Sequence, residues 1–382
     1  MSKKVIVIGA GAWGGWSAFK LQEAGYEVTL IDKSSPGNSL SGSGGKTRII
    51  RMAYGGHPIY TQMVHQSFQD WEHYASEWEE QLYHPKGAIW LFRDIPSTYA
   101  EASIPLMTEM GYKLHQVDLE DGVKRFPEIS FTDITSAYWE DKVWFLEAAK
   151  SCVVVARELE KIGGRIVQDT VVNLDINDNT IIVRCNNQKF ETDQVIVAAG
   201  PWSKQLIPEL KDVIHISRQE VYYFDAPKSY CDLPIWVEFR EGDQMYYGIP
   251  DHFMQGFKFA YDERQWPLDP DLDHREISPE ILAKMSAVLT NRFPELNHPS
   301  VLKHHTCVYE NALDGDFIID QKADSRIIYL AGSSGHGFKM GPAIGQMILD
   351  HLLNKKPLPS QFAICRFHQN QKRRSQYQMN QE

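Results

Sequence analysis

Three observations predict an α/β protein in which a nucleotide-binding domain is interrupted by an α+β domain on an antiparallel sheet. A strand, a glycine-rich turn, a helix and a second strand occupy the first thirty or so residues. A strand-rich aromatic run fills 219–261 (EVYYF, PIWVEF, QMYYGI, GFKFAY). A second unit of strand, glycine-dense loop and helix start covers 328–342. Parallel βα units at both ends of the chain, with an antiparallel sheet between them, imply that the ends share one domain. The expected division is 1–85, 142–212 and 308–382 for the nucleotide-binding domain, and 86–141 with 213–307 for the substrate domain. The length of 382 residues suits about two domains.

The elements follow in order. Lys4-Val-Ile-Val-Ile8 is a β-branched run and reads as a buried strand. A helix is expected from Ala12 to Ala24, closed by Gly25, and a strand at 27–32. Aromatic and acidic residues at helical spacing predict a helix over 58–83, and another is expected over 145–162, ended by Gly163-Gly164. A strand at 165–168, a hairpin at 179–186 and 189–193, and an apolar strand at 195–199 follow. Beyond the aromatic sheet, a helix near 278–292, strands at 316–319 and 326–331 and a helix at 341–354 complete the reading. The basic cluster Lys372-Arg373-Arg374 reads as a solvated end.

Charge and cysteine content exclude several functions. Fifty acidic side chains against 39 basic ones give a formal charge of −11, a surface that repels phosphate backbones and anionic lipid. Nucleic acid and membrane are therefore not expected partners. The five cysteines are scattered and contain no CxxC pair, so neither a disulfide framework nor a metal site is expected. A soluble cytoplasmic protein fits this usage.

Gly9-Ala-Gly11-Ala-Trp13-Gly14 is a GxGxxG fingerprint between a strand and a helix. Gly9 permits the tight turn, Gly11 the approach of a pyrophosphate, and Gly14 close packing of helix on strand. The helix start offers free N–H donors to the phosphates. Asp32 ends the second strand, where an acid accepts hydrogen bonds from ribose hydroxyls and disfavours a 2′-phosphate. FAD and NAD both fit this motif. The second glycine loop, Gly332-Ser-Ser-Gly335-His336-Gly337-Phe-Lys339-Met-Gly341, favours the flavin. A loop and helix start there can face the edge of the ring that becomes negative on reduction.

Further segments carry a family resemblance. Thr47-Arg48-Ile-Ile-Arg51-Met-Ala-Tyr54-Gly55, Ala198-Ala-Gly-Pro-Trp-Ser203, Cys307-Val-Tyr309, Asp316-Phe-Ile-Ile-Asp320 and Gly335-His-Gly-Phe-Lys339 follow the fingerprint in that order. Together they resemble the family of monomeric sarcosine oxidase, N-methyltryptophan oxidase and pipecolate oxidase, over nearly the whole chain. The resemblance implies a Rossmann-like FAD-binding domain and oxidation of the C–N bond of a small amino acid. It also implies covalent FAD, oxygen as acceptor, and an imine and hydrogen peroxide as products.

Residue by residue, the resemblance makes Cys307 the cysteine bonded to the flavin. It makes Arg51 and Lys339 the clamp for the substrate carboxylate, and Tyr247 and Tyr309 the aromatic walls. Lys258 becomes the cation that serves oxygen, and Arg48 a basic residue near the flavin. Trp13, Lys33, Val172, Gly200, Trp202, Gly335 and Gly337 complete the expected cofactor contacts, with Gly9, Gly11, Gly14 and Asp32. Asp262 stands where the family commonly has a histidine, and Gly44-Gly45-Lys46 occupies ground where another histidine is common. The expected substrate is a secondary amino acid, N-methyl or cyclic. The alternatives are a primary, aromatic amino acid, a dehydrogenase with another acceptor, and a non-enzymatic flavin sensor. A monomer is expected.

Overall fold

The computed structural model describes residues 3–177, 180–242, 244–252, 254–264, 267–273, 276–298, 300–322, 325–369 and 377. A six-stranded sheet has the spatial order Ile318–Gln321, Ile327–Ala331, Gln194–Val197, Lys4–Ile8, Glu27–Asp32 and Arg165–Gln168. Its strands are parallel except for the outer Ile318–Gln321. Strands from the first thirty-two residues and the last sixty-five thus share one sheet, the arrangement a doubly wound fold needs. The helix Ala12–Glu23 packs on this sheet between helices Ala148–Lys161 and Gly341–Leu352. It is buried from Ala12 to Leu21, a helix apolar nearly all round because helices flank it.

An eight-stranded sheet carries the second half of the architecture. Its order is Val301–Ala312, Ile214–Phe224, Phe257–Tyr261, Gln244–Ile249, Ile235–Arg240, Ala88–Phe92, Ser136–Glu140 and Leu114–Val117. Only Ile235–Arg240 and Ala88–Phe92 run parallel. The two-residue alternation of strands divides its aromatic residues between faces. Tyr222, Phe224, Phe257 and Phe259 pack with Ile281, Met285 and Leu289 of the helix Pro279–Arg292. The opposite face presents Val221, Tyr223, Ala260 and Cys307, with Tyr247 and Tyr309 against them. Lys258 has the parity of Ala260 and belongs to this second face.

Two smaller sheets connect the layers. Thr47–Ile50, Trp144–Glu147 and Tyr83–Pro85 form one, and the hairpin strands Val171–Ile176, Ile181–Cys185 and Lys189–Thr192 form the other. The helix expected over 58–83 spans Pro58–Glu77, and that expected over 145–162 begins at Ala148. Residues 83–85 and 144–147 are strands instead, paired across the chain with each other. These long-range pairings override the local helical pattern. The cluster Lys372-Arg373-Arg374 lies outside the described residues. No helix among the described residues is long and apolar enough to cross a membrane.

Candidate active site

A cleft opens at the carboxyl ends of the parallel strands, lined by Gly9, Gly11, Trp13, Asp32, Lys33, Gly200 and Trp202 among others. This is where open α/β sheets bind their ligands. Gly9 has φ +105°, and a Cβ there would lie 2.2 Å from the Ala198 carbonyl oxygen, so the turn requires glycine. A Cβ on Gly14 would lie 1.9 Å from the Gly9 oxygen, so strand and helix start meet at backbone contact.

Asp32 accepts the Ala10 amide at 2.6 Å and the Ser34 amide at 2.8 Å. It thus shapes the loop and faces the cleft with its remaining lone pairs. Burial raises its pKa, against the pull of these amides. Lys33 lies 3.5 Å from the Trp202 ring centroid and 3.1 Å from Asp271, which fixes one wall. Val172, an expected cofactor contact, is 53% exposed, and the preceding Val171 lines the cleft. Strand alternation turns Val172 outward.

The two glycine loops interlock. Trp13 Nε1 donates to the Gly337 carbonyl at 2.9 Å, and a Cβ on Gly337 would strike the Trp13 ring at 2.4 Å. Gly335 lies against Tyr309, where a Cβ would come within 2.4 Å of the ring. The loop lends Ser333 and Phe338 to the cleft, while Gly335 and Gly337 hold its neighbours in place. The residues suit a flavin dinucleotide: a glycine turn at a helix start, an acid at the second strand end, and a nucleophilic sulfur beyond.

That sulfur is Cys307. It is 4% exposed, and burial alone would raise its pKa. The Arg48 guanidinium, 3.5 Å from the sulfur, together with His305 brings it down to about 6. A thiolate at neutral pH is the nucleophilic form of cysteine. Arg48 is itself oriented by the carbonyls of Gly42 (3.0 Å), Gly44 (2.7 Å) and Thr47 (2.9 Å).

Lys258 lies on the same sheet face, opposite Tyr223 on one side and Ile249 on the other. Its Nζ donates to the Thr47 carbonyl at 2.9 Å and to Thr47 Oγ1 at 3.2 Å, 5.7 Å from the Tyr247 ring centroid. Burial and the nearby Arg48 lower its pKa to about 7.

Arg51 and Lys339 meet at Tyr54. The Arg51 guanidinium is 4.5 Å from the Tyr54 ring centroid, and Lys339 Nζ donates to the Tyr54 hydroxyl at 2.9 Å. Both cations are buried, at 4% and 5% exposure. Lys339 also bonds the His336 carbonyl at 2.9 Å, and burial with the Arg51 charge holds its pKa well below the ordinary lysine range. Behind Arg51, Glu140 accepts the amides of Met52 (2.5 Å) and Ala53 (3.3 Å), and burial raises its pKa to about 7. Trp90 and Tyr377 add rings 5.2 Å from the guanidinium.

Asp262 follows the Lys258 strand, its side chain 5% exposed and paired at 3.4 Å with Arg264, itself 10% exposed. Its charge acts on Tyr247, Tyr309 and Lys339 together, so it lies near both the clamp and the aromatic walls. Asp262 Oδ1 and Arg264 Nη1 are buried without a protein partner.

Sequence reasoning missed Tyr54, Glu140, Arg264, Thr47 and Glu310. Tyr54 sits inside the quoted motif with Arg51, and Arg264 shares the parity of Asp262 two residues on. Glu310 lines the cleft, its pKa raised by burial to about 8, one residue after Tyr309. Glu140 gave no signal, since its strand meets Arg51 only through the fold.

The chain is similar to several known proteins. A monomeric sarcosine oxidase from Bacillus sp. (strain B-0618) is 28% identical over 92% of each chain. An N-methyl-L-tryptophan oxidase from Salmonella agona (strain SL483) is 26% identical over 97% of this chain and all of its own. Among solved structures, the L-proline dehydrogenase of P. horikoshii superposes with a TM-score of 0.85 at 21% identity, covering 97% of this chain and 99% of its own. The amino acid oxidase NikD gives a TM-score of 0.79 at 17% identity, covering 95% and 97%. Residues 4–351 match the family described as FAD dependent oxidoreductase, and the chain belongs to that family of enzymes.

Proposed function

We propose that this enzyme oxidises the C–N bond of an amino acid, with covalent FAD held through Cys307 and oxygen as acceptor. The observation that carries the reading is the convergence of buried Arg51 and Lys339 on Tyr54. Two basic side chains buried at one tyrosine would be held in their charged form by an incoming anion, and would hold it in turn. The planar Arg51 fork suits both oxygens of a substrate carboxylate, and Lys339 adds a point charge.

Tyr247 and Tyr309 would confine the rest of the substrate and exclude water. Asp262 Oδ1 would accept a hydrogen bond from the substrate nitrogen, orienting the carbon that loses hydrogen. FAD, when bound, takes up a hydride equivalent and delivers the electrons to oxygen. Lys258 would hold its positive charge where reduced oxygen develops negative charge. The products are an imine, which water hydrolyses, and hydrogen peroxide.

The names of the sarcosine and N-methyltryptophan oxidases support a secondary amino acid as substrate. Asp262, an acceptor in place of an imidazole, supports a second reading: a primary amino acid, whose ammonium offers more N–H donors. The reading takes the enzyme as a cytoplasmic monomer, in keeping with the monomeric relative. A peroxide screen over N-methyl, cyclic and primary aromatic amino acids separates the two readings, and silence with every one of them would reject the oxidase.

Cys307→Ser tests the covalent link. Acid precipitation of the parent protein should leave a yellow pellet, whereas the variant should release its colour to the supernatant. A colourless parent pellet would refute covalent attachment.

A further inference from the structure

We propose that His84, Glu147 and His252 form a binding site for a divalent transition-metal ion of zinc type, apart from the flavin cleft. Their ligand atoms all lie within 4.8 Å of one another, and His84 Nε2 stands 2.8 Å from Glu147 Oε1. Four-coordinate zinc at about 2.0–2.1 Å from each ligand sets its ligands roughly 3.3 Å apart. Adjustments of about an ångström therefore suffice to receive the ion.

Two imidazoles and one carboxylate form a recognised zinc donor set and leave a fourth position for water. The side chains of His84 and Glu147 are 14% and 20% exposed, so an ion can reach them.

Three features preorganise the cluster. His84 and Glu147 stand on the paired strands Tyr83–Pro85 and Trp144–Glu147, and the Glu147 amide bonds the Leu82 carbonyl at 2.9 Å. The Phe145 ring stacks on His84 at 4.7 Å and meets His252 edge-on at 4.8 Å, gripping both imidazoles. Asp251 accepts the amides of Gln255 and Gly256 at 2.8 and 2.9 Å, which anchors the residue next to His252.

The ligand residues come from positions 84, 147 and 252, so no local spacing announces them. The sequence expectation of no metal rested on cysteine pattern alone.

The site has a structural connection to the chemistry. Glu147 lies directly opposite Thr47 in the strand pair, and Thr47 holds Lys258. A bound ion would therefore brace the shelf beneath that lysine and tie it to His252.

Cobalt is the probe. The flavin-loaded protein, stripped with chelator, should bind one equivalent of Co2+ with the intense visible bands of a four-coordinate site, and Zn2+ should displace it. His84→Ala and His252→Ala should each weaken binding by at least about 100-fold, beyond the 10–100-fold typical of losing an outer-shell partner. Glu147→Gln retains an acceptor for His84 and so protects the fold, yet its neutral amide should also weaken binding. The idea is overturned by the absence of stoichiometric binding at micromolar Co2+. It is equally overturned by unchanged binding in Glu147→Gln or in the double histidine variant, which would assign the ion to other histidines.

Discussion

Replacing Lys258 with Met should slow reoxidation of the reduced enzyme by oxygen about 10^2- to 10^3-fold, the cost of removing one preorganised charge-stabilising group. Anaerobic reduction by substrate should stay largely intact, because Lys258 bonds Thr47 and not the clamp residues. Stopped-flow mixing of the reduced enzyme with oxygenated buffer reads the first step, and anaerobic mixing with substrate reads the second. Equal slowing of both would reject the assignment.

The pH dependence supplies an independent check with a definite sign. Burial and Arg48 lower the Lys258 pKa to about 7. The cation is present below that value and lost above it, so reoxidation should be fastest in acid and decline as pH rises through about 7. Lys258→Arg should remove the decline, since a guanidinium stays charged throughout. Lys258→Met should be slow and flat.

Arg51→Met should lower kcat/KM for an amino acid by about 10^2- to 10^3-fold, the scale of breaking a buried charge pair at roughly 3–5 kcal/mol. The loss should depend on the carboxylate. An amine lacking one should be oxidised by variant and parent at similar kcat/KM, and acetate should cease to compete. Arg51→Lys should restore only part of the loss, because an ammonium lacks the planar fork. If the carboxylate-free amine suffered equally, Arg51 would be a structural residue, holding Tyr54 and Glu140 in place.

Legibility in the sequence followed the range of the interactions. The cofactor cradle was readable because Gly9, Gly11, Gly14 and Asp32 lie within one βαβ unit, where spacing dictates geometry. Lys258, Cys307, Arg51 and Lys339 required the resemblance, since alone each reads as a surface cation or a core thiol. They stand on separate elements: Lys258 and Cys307 on strands of the eight-stranded sheet, Arg51 just after Thr47–Ile50, and Lys339 just before the last helix. The strand Val301–Ala312 escaped because its first half is partly exposed and carries Lys303, His304 and His305, while its second half is buried almost continuously, so no single pattern runs its length. Residues 145–147 read locally as the start of a helix, because their pairing with 47–49 and 83–84 spans about sixty to a hundred positions. The Asp262–Arg264 pair stayed hidden for another reason. A carboxylate at that place is legible, but whether it is neutralised depends on how the chain bends after the strand.

The lock between Trp13 and Gly337 has a consequence for the order of events in the cell. On the ribosome the fingerprint emerges first, yet the part of the wall that Ser333 and Phe338 supply is made more than three hundred residues later. A nascent chain is therefore expected to hold its flavin firmly only once nearly all of it has been synthesised. Premature termination before the second glycine loop should leave a colourless product, and cofactor loading should be a late, post-translational step that reports completion of the chain.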